Sequence, residues 1–333
     1  MKRLISGIQP TNNLTLGNYL GAIKNFVDLQ NDYEVFLFVA DLHSLTPNIF
    51  DNTNFFATKR QIIATYLAAG IDPKKTCLFY QSDILAIPLL SHILLCSTSI
   101  GELTRMTQFK DKSAKATKMA NNTEMIPSGL LTYPALMAAD ILAFNADVVP
   151  VGQDQKQHLE LTRTLADRFN KRYGQTFKLP QVYIPKIGAK IMDLLDPSVK
   201  MSKSSKNPKG VIFLNDSREQ IIKKIKGALT DNLNQVKYDV EQQPSVSNLI
   251  TIYACLTNLT FAEIETKYNQ QNYGVFKNDL ANIVADFLEN LQQKISYWLN
   301  SPELDIMIDN SCERANDVAN QNVQLVLKQM QLK

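Results

Sequence analysis

The stretch Glu34-Val35-Phe36-Leu37-Phe38-Val39-Ala40-Asp41 is almost entirely apolar, and Leu42-His43-Ser44 follows it directly. An unbroken apolar run of this length is typical of a strand covered on both faces, as in a parallel sheet between layers of helices. Polar residues return where the strand ends, and such sheets bind ligands at the carboxyl ends of their strands. The stretch therefore predicts a doubly wound α/β fold and makes His43 a candidate site residue, with a purely structural hydrogen bond as the alternative.

Further short apolar runs lie on both sides of this stretch, and a polar loop and a segment with helical spacing follow most of them. These predicted strands cover residues 4–8, 76–80, 147–152 and 182–184. Strand and helix in alternation predict a Rossmann-like parallel sheet with right-handed crossovers over residues 1–209. Over residues 210–333 the pattern is mainly helical, so we predict an α-helical C-terminal domain whose last helix could pack back on the first domain.

Composition limits the class of protein. The 333 residues are 45% hydrophobic, which is enough for a sizeable core, and the formal net charge of +3 is too small to identify a nucleic-acid partner by itself. The four cysteines, Cys77, Cys96, Cys255 and Cys312, lie too far apart in sequence for a zinc ribbon or a redox pair. No apolar segment is long enough for a membrane span. We expect a soluble, cytoplasmic protein with free thiols and without zinc.

The segment after the first predicted strand has the features of an anion site. Gln9-Pro10-Thr11 belongs to a polar, turn-forming run, and Thr15-Leu16-Gly17-Asn18 opens a helix with a capping residue. Free backbone N–H groups and the helix dipole both favour an anion at such a helix start. The alternative is that Gly17 and Gly21 only allow the helix to pack closely against the sheet.

Two basic segments suggest contacts with phosphate. Lys200-Met201-Ser202-Lys203-Ser204 lies between two prolines and combines lysines with small hydroxyl residues. Helical spacing is continuous over residues 84–109 and disappears over the second segment, 110–118, which includes Lys112. We predict an exposed loop at each place. A run of lysines by itself is more typical of a solvated surface, so the surrounding fold has to decide between the two interpretations.

A single acid lies in the apolar helix that is predicted to follow Pro134. Helical spacing places Tyr133, Met137 and Asp140 close to one face. Asp140 needs a partner, because a buried and unpaired carboxylate is strongly destabilising. That partner is either another side chain, in a buried salt bridge, or a donor on a ligand. Gly152-Gln153-Asp154 follows the next predicted strand, where backbone N–H groups can bind a hydroxyl or a carboxylate.

The two motifs at residues 15–18 and 200–204, in this order and context, resemble the signatures of the class I aminoacyl-tRNA synthetases. The first stands where the family has His-Ile-Gly-His, and the second matches its signature without change. Four further stretches are similar to the bacterial tryptophanyl-tRNA synthetases, namely Ser6-Gly7-Ile8-Gln9-Pro10, Gly129-Leu130-Leu131-Thr132-Tyr133-Pro134, Met137-Ala138-Ala139-Asp140 and Val151-Gly152-Gln153-Asp154-Gln155-Lys156-Gln157-His158. The resemblance implies a Rossmann-like catalytic domain followed by a helical domain that binds the tRNA anticodon.

The resemblance implies that the chain binds L-tryptophan. Met137 and Asp140 correspond to the indole pocket of the family, in which the carboxylate accepts the indole N–H. Tyr133 and Gln155 correspond to the residues that hold the amino group. The remaining implied pocket residues are Ile5, Gly7 and His43.

An ATP site is implied as well. Lys200 and Lys203 are the implied catalytic residues, which reach the leaving pyrophosphate together with Lys112. The other implied nucleotide ligands are Gln9, Pro10, Thr11, Gly17, Asn18, Gly152, Gln153, Asp154, Ile191, Met201, Ser202 and Ser204. Ser205 departs from the family, which usually has aspartate there, and the restraint of the lysine loop depends on that position.

The implied reaction consists of two transfers and uses no nucleophile from the enzyme. The tryptophan carboxylate attacks the α-phosphorus of ATP, and the adenylate then acylates the terminal ribose of tRNA(Trp). The resemblance implies Mg²⁺ with ATP and a homodimer, and Cys255 and Cys312 lack the spacing for the iron–sulfur cluster of some relatives. Three alternatives remain, namely a tyrosyl-tRNA synthetase, a non-catalytic RNA-binding relative and a nucleotidyltransferase acting on a small cofactor precursor.

Overall fold

The structure, a computed structural model, describes residues 1–10, 13–46, 54–113, 126–150, 152, 155–183, 190–202, 205 and 207–333, and of Lys112 only the backbone. Five parallel strands form one sheet in the order β3-β2-β1-β4-β5. These strands are β1 (Lys2–Ile8), β2 (Tyr33–Val39), β3 (Thr76–Tyr80), β4 (Val148–Pro150) and β5 (Gln181–Tyr183). The chain runs outward from β1 in both directions, so the order reverses between β1 and β4, which is where open α/β sheets bind ligands. The predicted fold class is confirmed.

Helices connect and follow the strands. The first is divided into α1 (Leu16–Asn18), a π-helical turn (Tyr19–Ile23) and α2 (Lys24–Leu29). The others within the sheet region are α3 (Asp41–Ser44), α4 (Phe55–Ala69), α5 (Ala86–Cys96), α6 (Ile100–Thr104), α7 (Thr107–Ser113), α8 (Ser128–Leu142) and α9 (Lys156–Tyr173). Then come α10 (Arg218–Lys226), α11 (Pro244–Thr257), α12 (Phe261–Lys267), α13 (Tyr273–Asn300) and α14 (Glu303–Gln329). The described part of 210–333 contains no strand, whereas the domain boundary at residue 209 stays a prediction.

Both faces of β2 are buried, which explains its unbroken apolar sequence. Val35, Leu37 and Val39 belong to one core, together with α4 and residues of α10 to α13. Phe36 and Phe38 belong to a second core, together with residues of α5, α8, α9 and α14. Alternate side chains of a strand point to opposite faces, so the sheet separates the two cores. The helices after residue 210 therefore cover both faces of the sheet.

Two expected boundaries are wrong. The predicted continuous helix at 84–109 is divided into α5, α6 and α7, because Ser97 and Thr98 hydrogen-bond to the Leu94 carbonyl and Ser99 starts α6 in a capping box with Glu102. Helix α7 then continues to Ser113, so the beginning of the predicted loop at 110–118 is helical, and residues 114–118 lie outside the described part of the chain.

Helix α8 also differs from its prediction, because it begins at Ser128 instead of after Pro134. Pro134 lacks an N–H group and therefore removes one hydrogen bond from the helix. The side chain of Pro134 is buried, and Leu130 and Ala135 on either side of it belong to the packed face. Tertiary packing outweighs the local preference of proline at this position.

Gly210 provides a test of packing beside the lysine loop. A Cβ atom at this position would lie 1.9 Å from Oδ1 of Asp193, a buried carboxylate that also accepts a hydrogen bond from the Leu195 N–H. We expect Gly210→Ala to lower the free energy of unfolding by about 1–3 kcal/mol, measured by urea denaturation. Gly101→Ala is the control, because the nearest atom to a Cβ there is 4.0 Å away. Equal unfolding midpoints for the two variants would contradict this assignment.

Candidate active site

A cavity of about 490 Å³ opens at the carboxyl edge of the sheet, beside the switch point between β1 and β4. Its volume lies in the range of small-molecule sites. Strand β1 and the segments after β2 and β4 contribute to its wall, and α8 contributes an apolar face with one acid. The predicted site residues in this wall are Ile5, Gly7, Gln9, His43, Tyr133, Met137, Asp140, Gly152 and Gln155. The structure thus brings the predicted amino-acid pocket together in one place.

Asp140 is the buried acid of this cavity, with 2% of its surface exposed. Its Oδ2 lies 2.8 Å from His43 Nε2, and its Oδ1 lies 2.7 Å from Gln81 Nε2. Burial raises the pKa of Asp140, whereas the hydrogen bonds from His43 and Gln81 oppose that rise. Asp140 is therefore hydrogen-bonded to two protein side chains and still forms part of the cavity wall. Each carboxylate oxygen can accept more than one hydrogen bond, so a ligand N–H can still be accommodated.

Tyr133 lies in the same wall, about two helical turns before Asp140. Its hydroxyl lies 2.5 Å from Nε2 of His158 and donates to Oε1 of Gln108 at 3.2 Å. His158 is almost completely buried, and the two rings pack with their centroids 5.2 Å apart. A hydroxyl held by two side chains has a restricted orientation, so the Tyr133 oxygen is fixed in a defined position at the cavity wall.

Gly7 in β1 makes room for the aromatic residue beside it. A Cβ at this position would lie 2.6 Å from the Phe38 ring, which is closer than van der Waals contact allows. Phe38 also lines the cavity, so a larger residue at position 7 would displace part of its wall. Glycine at position 7 permits this close approach between β1 and the Phe38 side chain, because a Cβ atom there would force the ring to shift.

The motif at residues 15–18 lies against the described start of the lysine loop. Met201 is 1% exposed, and its Cβ lies 3.3 Å from where a Cβ of Gly17 would be. Asn18 closes a capping box with Thr15, since the Asn18 N–H donates to Thr15 Oγ1 and the Thr15 N–H donates to Asn18 Oδ1. The Leu16 N–H donates to the Ile212 carbonyl at 2.8 Å. Backbone pairing and the Gly17–Met201 contact therefore fix the base of the lysine loop beside the first helix.

The stem of the lysine loop is hydrogen-bonded to both sides. The Met201 N–H donates to the carbonyl of Ile191, a residue that is completely buried, and Lys200 next to it is exposed. Asn248 of α11 holds Met192, because its Oδ1 accepts the Met192 N–H at 2.9 Å and its Nδ2 donates to the Met192 carbonyl at 3.0 Å. A helix after residue 210 thus supports the loop that carries the lysines.

Ser205, the residue that departs from the family pattern, retains a contact with the buried Asp193. Its Oγ lies 3.4 Å from Asp193 Oδ2 and donates to the Asn207 carbonyl at 3.3 Å. These distances are long for hydroxyl hydrogen bonds, so each is weak. The effect of Ser205 on the restraint of the lysine loop stays a prediction, because the structure shows only these two weak contacts.

Comparison with known proteins identifies the family that has this arrangement. Residues 1–289 match the family model described as tRNA synthetases class I (W and Y). The chain belongs to this family. Over 333 residues the synthetase is 91% identical to the tryptophan–tRNA ligase of Ureaplasma parvum serovar 3, with 100% of each chain covered.

Solved structures of the family are also similar to the synthetase. The crystal structure of the tryptophanyl-tRNA synthetase from Mycoplasma pneumoniae has a TM-score of 0.92 and 40% identity, covering 100% of this chain and 98% of that chain. The enzyme from Campylobacter jejuni, solved in complex with ADP and tryptophan, has a TM-score of 0.81 and 31% identity, covering 98% and 99%. The similarity extends over both the sheet and the helices that follow it.

Some predicted residues of the synthetase are placed apart from the cavity wall, and others lie outside the described residues. Pro10 is buried and follows the wall residue Gln9, whereas Ile191 belongs to the core beneath the lysine loop. The roles predicted for Pro10, Ile191, Met201 and Ser202 toward the nucleotide stay predictions. The predicted residues outside the described part are Thr11, Gln153, Asp154, Lys203, Ser204 and the side chain of Lys112.

Four polar side chains that hydrogen-bond to residues of the cavity wall or of the lysine-loop stem were not predicted from the sequence, namely Gln81, Gln108, His158 and Asn248. Gln81 directly follows β3, as His43 follows β2 closely, so the rule about strand ends could have found it. His158 lies in a stretch that carries the family resemblance. Gln108 and Asn248 are remote in sequence from their partners Tyr133 and Met192, and no local signal identifies them.

Neither a cluster of metal ligands nor a membrane-spanning helix is present in the described part of the synthetase. No group of three or more His, Cys, Asp or Glu side chains is arranged there to hold a metal ion. Within those residues no helix is both long enough and apolar enough to cross a membrane. The four cysteines are free thiols, and burial raises the pKa of the Cys77 thiol to about 12. The expected absence of zinc and of an iron–sulfur cluster stays a prediction.

Proposed function

We propose that the chain is a tryptophan–tRNA ligase, which activates L-tryptophan with ATP to form tryptophanyl-adenylate and pyrophosphate and then transfers tryptophan to the 3′ end of tRNA(Trp). The observation that carries this proposal is a buried carboxylate, Asp140, in the wall of a cavity at the switch point of a synthetase of the W and Y family. The tryptophan–tRNA ligase that is 91% identical over the full length supports the same substrate.

In this proposal the indole ring enters the cavity beside α8. Asp140 accepts the indole N–H, and Met137, Ile5, Gly7 and His43 contact the ring. Tyr133 and Gln155 bind the amino group, for which the hydroxyl held by His158 and Gln108 is a suitable acceptor. Support comes from the wall of the cavity, which contains all of these predicted residues, and from the apolar surroundings of the single acid.

ATP binds next to this pocket, along the line from Gln9 to the lysine loop. Its proposed ligands are the sequence-predicted set, with backbone N–H groups at Gly17 and Gly152 approaching the nucleotide and Mg²⁺ bound through the phosphates. Lys200, Lys203 and Lys112 stabilise the charge that develops on the leaving pyrophosphate. The contact between Gly17 and Met201 supports this assignment, because it brings the two motifs to the same side of the molecule.

In the proposed reaction the protein has to orient the substrates and stabilise the charge that develops on the phosphates. The tryptophan carboxylate is the first nucleophile and a ribose hydroxyl of tRNA is the second, so no side chain has to form a covalent bond. Holding the two reacting groups in line converts a bimolecular step into a unimolecular one. Cationic and N–H donors aimed at the phosphates lower the barrier further, because they are in place before the charge develops.

We also propose that the enzyme works as a homodimer in the cytoplasm. Leu85, directly before α5, is 75% exposed, Leu89 in its first turn is 44% exposed, and Ile100 in α6 is 72% exposed. Exposed apolar residues that form one patch are typical of a surface that binds another protein, and Leu85 and Leu89 are four residues apart, so they can belong to one patch. Analytical ultracentrifugation should give the mass of a dimer, and a purely monomeric sample would count against this assembly.

ATP–pyrophosphate exchange tests the proposed substrate. Purified protein should catalyse exchange that depends on tryptophan, and tyrosine should support no comparable rate. Exchange that depends on tyrosine would favour the tyrosyl-tRNA synthetase alternative. Protein that is folded but silent with both amino acids would favour a non-catalytic RNA-binding relative, although the unchanged lysine signature at 200–204 supports catalysis.

A further inference from the structure

A buried amide lies directly behind the acid of the cavity. Gln81 opens a short 3-10 turn, Gln81–Asp83, at the carboxyl end of β3, and none of its surface is exposed. Its Nε2 donates to Oδ1 of Asp140 at 2.7 Å, and the two residues are 59 positions apart in sequence. A hydrophobic residue would pack at this position without the cost of burying a polar group. A buried amide that is bonded to a carboxylate therefore indicates a specific role.

The orientation of the Gln81 amide is determined by the backbone beside it. Its Oε1 accepts the N–H groups of Leu42 and His43 at 3.1 and 3.4 Å. A backbone N–H can only donate, so the oxygen of the amide has to face these groups and the nitrogen has to face Asp140. The start of α3 therefore sets the direction from which Asp140 receives its hydrogen bond.

His43 holds the other oxygen of the same carboxylate. Its Nε2 lies 2.8 Å from Asp140 Oδ2, so with an ionised Asp140 this nitrogen carries the proton. The carboxylate is thus bound at Oδ1 by the Gln81 amide and at Oδ2 by the His43 imidazole. His43 belongs to the segment after β2, and the Gln81 amide is hydrogen-bonded to the backbone of that segment. Two donors on two oxygens fix the plane of the carboxylate and leave lone pairs for one more donor on the cavity side.

We propose that Gln81 is a positioning residue for amino-acid specificity, which turns the Asp140 carboxylate so that its free lone pair meets the ring N–H of the substrate. The inference rests on the proposed function and adds a residue without contact to the substrate. Its effect is confined to ligands that carry this N–H. A substrate analogue without the donor gains nothing from the orientation of the carboxylate and is therefore insensitive to Gln81.

The test compares tryptophan with β-(3-benzothienyl)alanine, in which sulfur replaces the ring N–H. In Gln81→Met, which keeps the length of the side chain and removes the amide, kcat/KM for tryptophan in ATP–pyrophosphate exchange should fall by about 10- to 100-fold, the range for one hydrogen bond to a charged group. In the same assay kcat/KM for the analogue should change by less than about 3-fold. Equal losses for both ligands would overturn the proposal and leave Gln81 a structural role.

Gln30→Met is the matched control. Gln30 is also buried, and its amide donates to the Val27 and Gly70 carbonyls and accepts the Asp72 N–H, away from the cavity wall. This variant should lose stability while the preference for tryptophan over the analogue stays unchanged, and a change in that preference would show that any buried amide has the effect seen at Gln81.

If Gln81→Met fails to fold, as judged by circular dichroism, Gln81→Ser replaces it, since a smaller side chain lets water reach the Leu42 and His43 N–H groups. The kcat/KM values for tryptophan and for the analogue are then compared in this variant in the same way. A wild-type protein without any tryptophan-dependent exchange would instead refute the proposed function. An active wild type whose Gln81 variants keep the full preference for tryptophan would refute the role of Gln81 alone.

Discussion

Asp140→Ala should abolish most of the preference for tryptophan over an analogue that lacks the ring N–H. A site built to bond a substrate N–H can reject such an analogue by roughly 10⁴-fold, because the carboxylate lone pair that faces the cavity is then left without a donor. Without the carboxylate the site has no acceptor to leave unpaired, and the ratio of kcat/KM values should approach one. Exchange assays with tryptophan and β-(3-benzothienyl)alanine measure this ratio. Normal activation of tryptophan by the variant would show that the pocket is wrongly assigned.

The fold should survive this substitution. Removing Asp140 leaves the Gln81 amide and the His43 imidazole without their acceptor, which costs about 1–3 kcal/mol for a buried donor. The variant also removes a carboxylate that is 2% exposed, and the desolvation cost of that charge offsets part of the loss. Asp147→Ala is the matched control, because Asp147 pairs with Lys178 outside the cavity wall. It should keep the preference for tryptophan.

The same carboxylate gives a pH dependence whose sign follows from its environment. Burial raises the pKa of Asp140 in the folded state above that of an ordinary aspartate, and Asp41 nearby acts in the same direction. Its ionisation therefore reduces the stability of the fold as pH rises through the folded pKa, and the protonated form is favoured below it. Acceptance of the ring N–H needs the ionised form, so KM for tryptophan should rise as pH falls, and this rise should be absent in Asp140→Ala.

Most of the fold could be predicted because it depends on local patterns. The apolar run of β2 reflects burial on both faces, and the polar residues at the ends of β2 and β4 reflect the shared edge where the cavity opens. The breaks between α5, α6 and α7 were missed because they depend on side-chain caps that compete with a continuous helical pattern. Within α8, Pro134 suggested a helix start, but burial on both sides of it keeps the helix intact.

The partners of the site residues could be predicted less well. Asp140 was expected to need a partner, and the chain supplies two of them, His43 and Gln81, from the ends of two other strands. Sequence spacing carries no information about pairs this far apart, because the sheet brings them together only after β1, β2 and β3 align. The family resemblance predicted residues that the structure places in the cavity wall, whereas the supporting amides of Gln81 and Asn248 became visible only in three dimensions.

Lys203→Ala should slow adenylate formation by about 10²-fold and raise KM for tryptophan much less. One preorganised cationic donor on developing charge contributes about this much to a rate. A group that acts only in the transition state lowers kcat and kcat/KM together, since it adds nothing to the binding of the ground state. Lys200→Ala should behave in the same way, because Lys200 is exposed at the top of the loop stem next to the anchored Met201. Single-turnover formation of the adenylate at saturating tryptophan and ATP measures the step directly.

Lys209→Ala separates a specific role from the general effect of charge. Lys209 is an exposed lysine in the 3-10 turn that follows the loop, so its removal changes the net charge equally but lies outside the signature. Electrostatic attraction of ATP to the whole basic surface would make all three variants lose rate to a similar degree, with a loss that shrinks as salt is raised. Stabilisation of the leaving pyrophosphate instead predicts large losses for Lys200 and Lys203, little loss for Lys209 and a weak dependence on salt. Unchanged rates in Lys203→Ala would remove that lysine from the transition state.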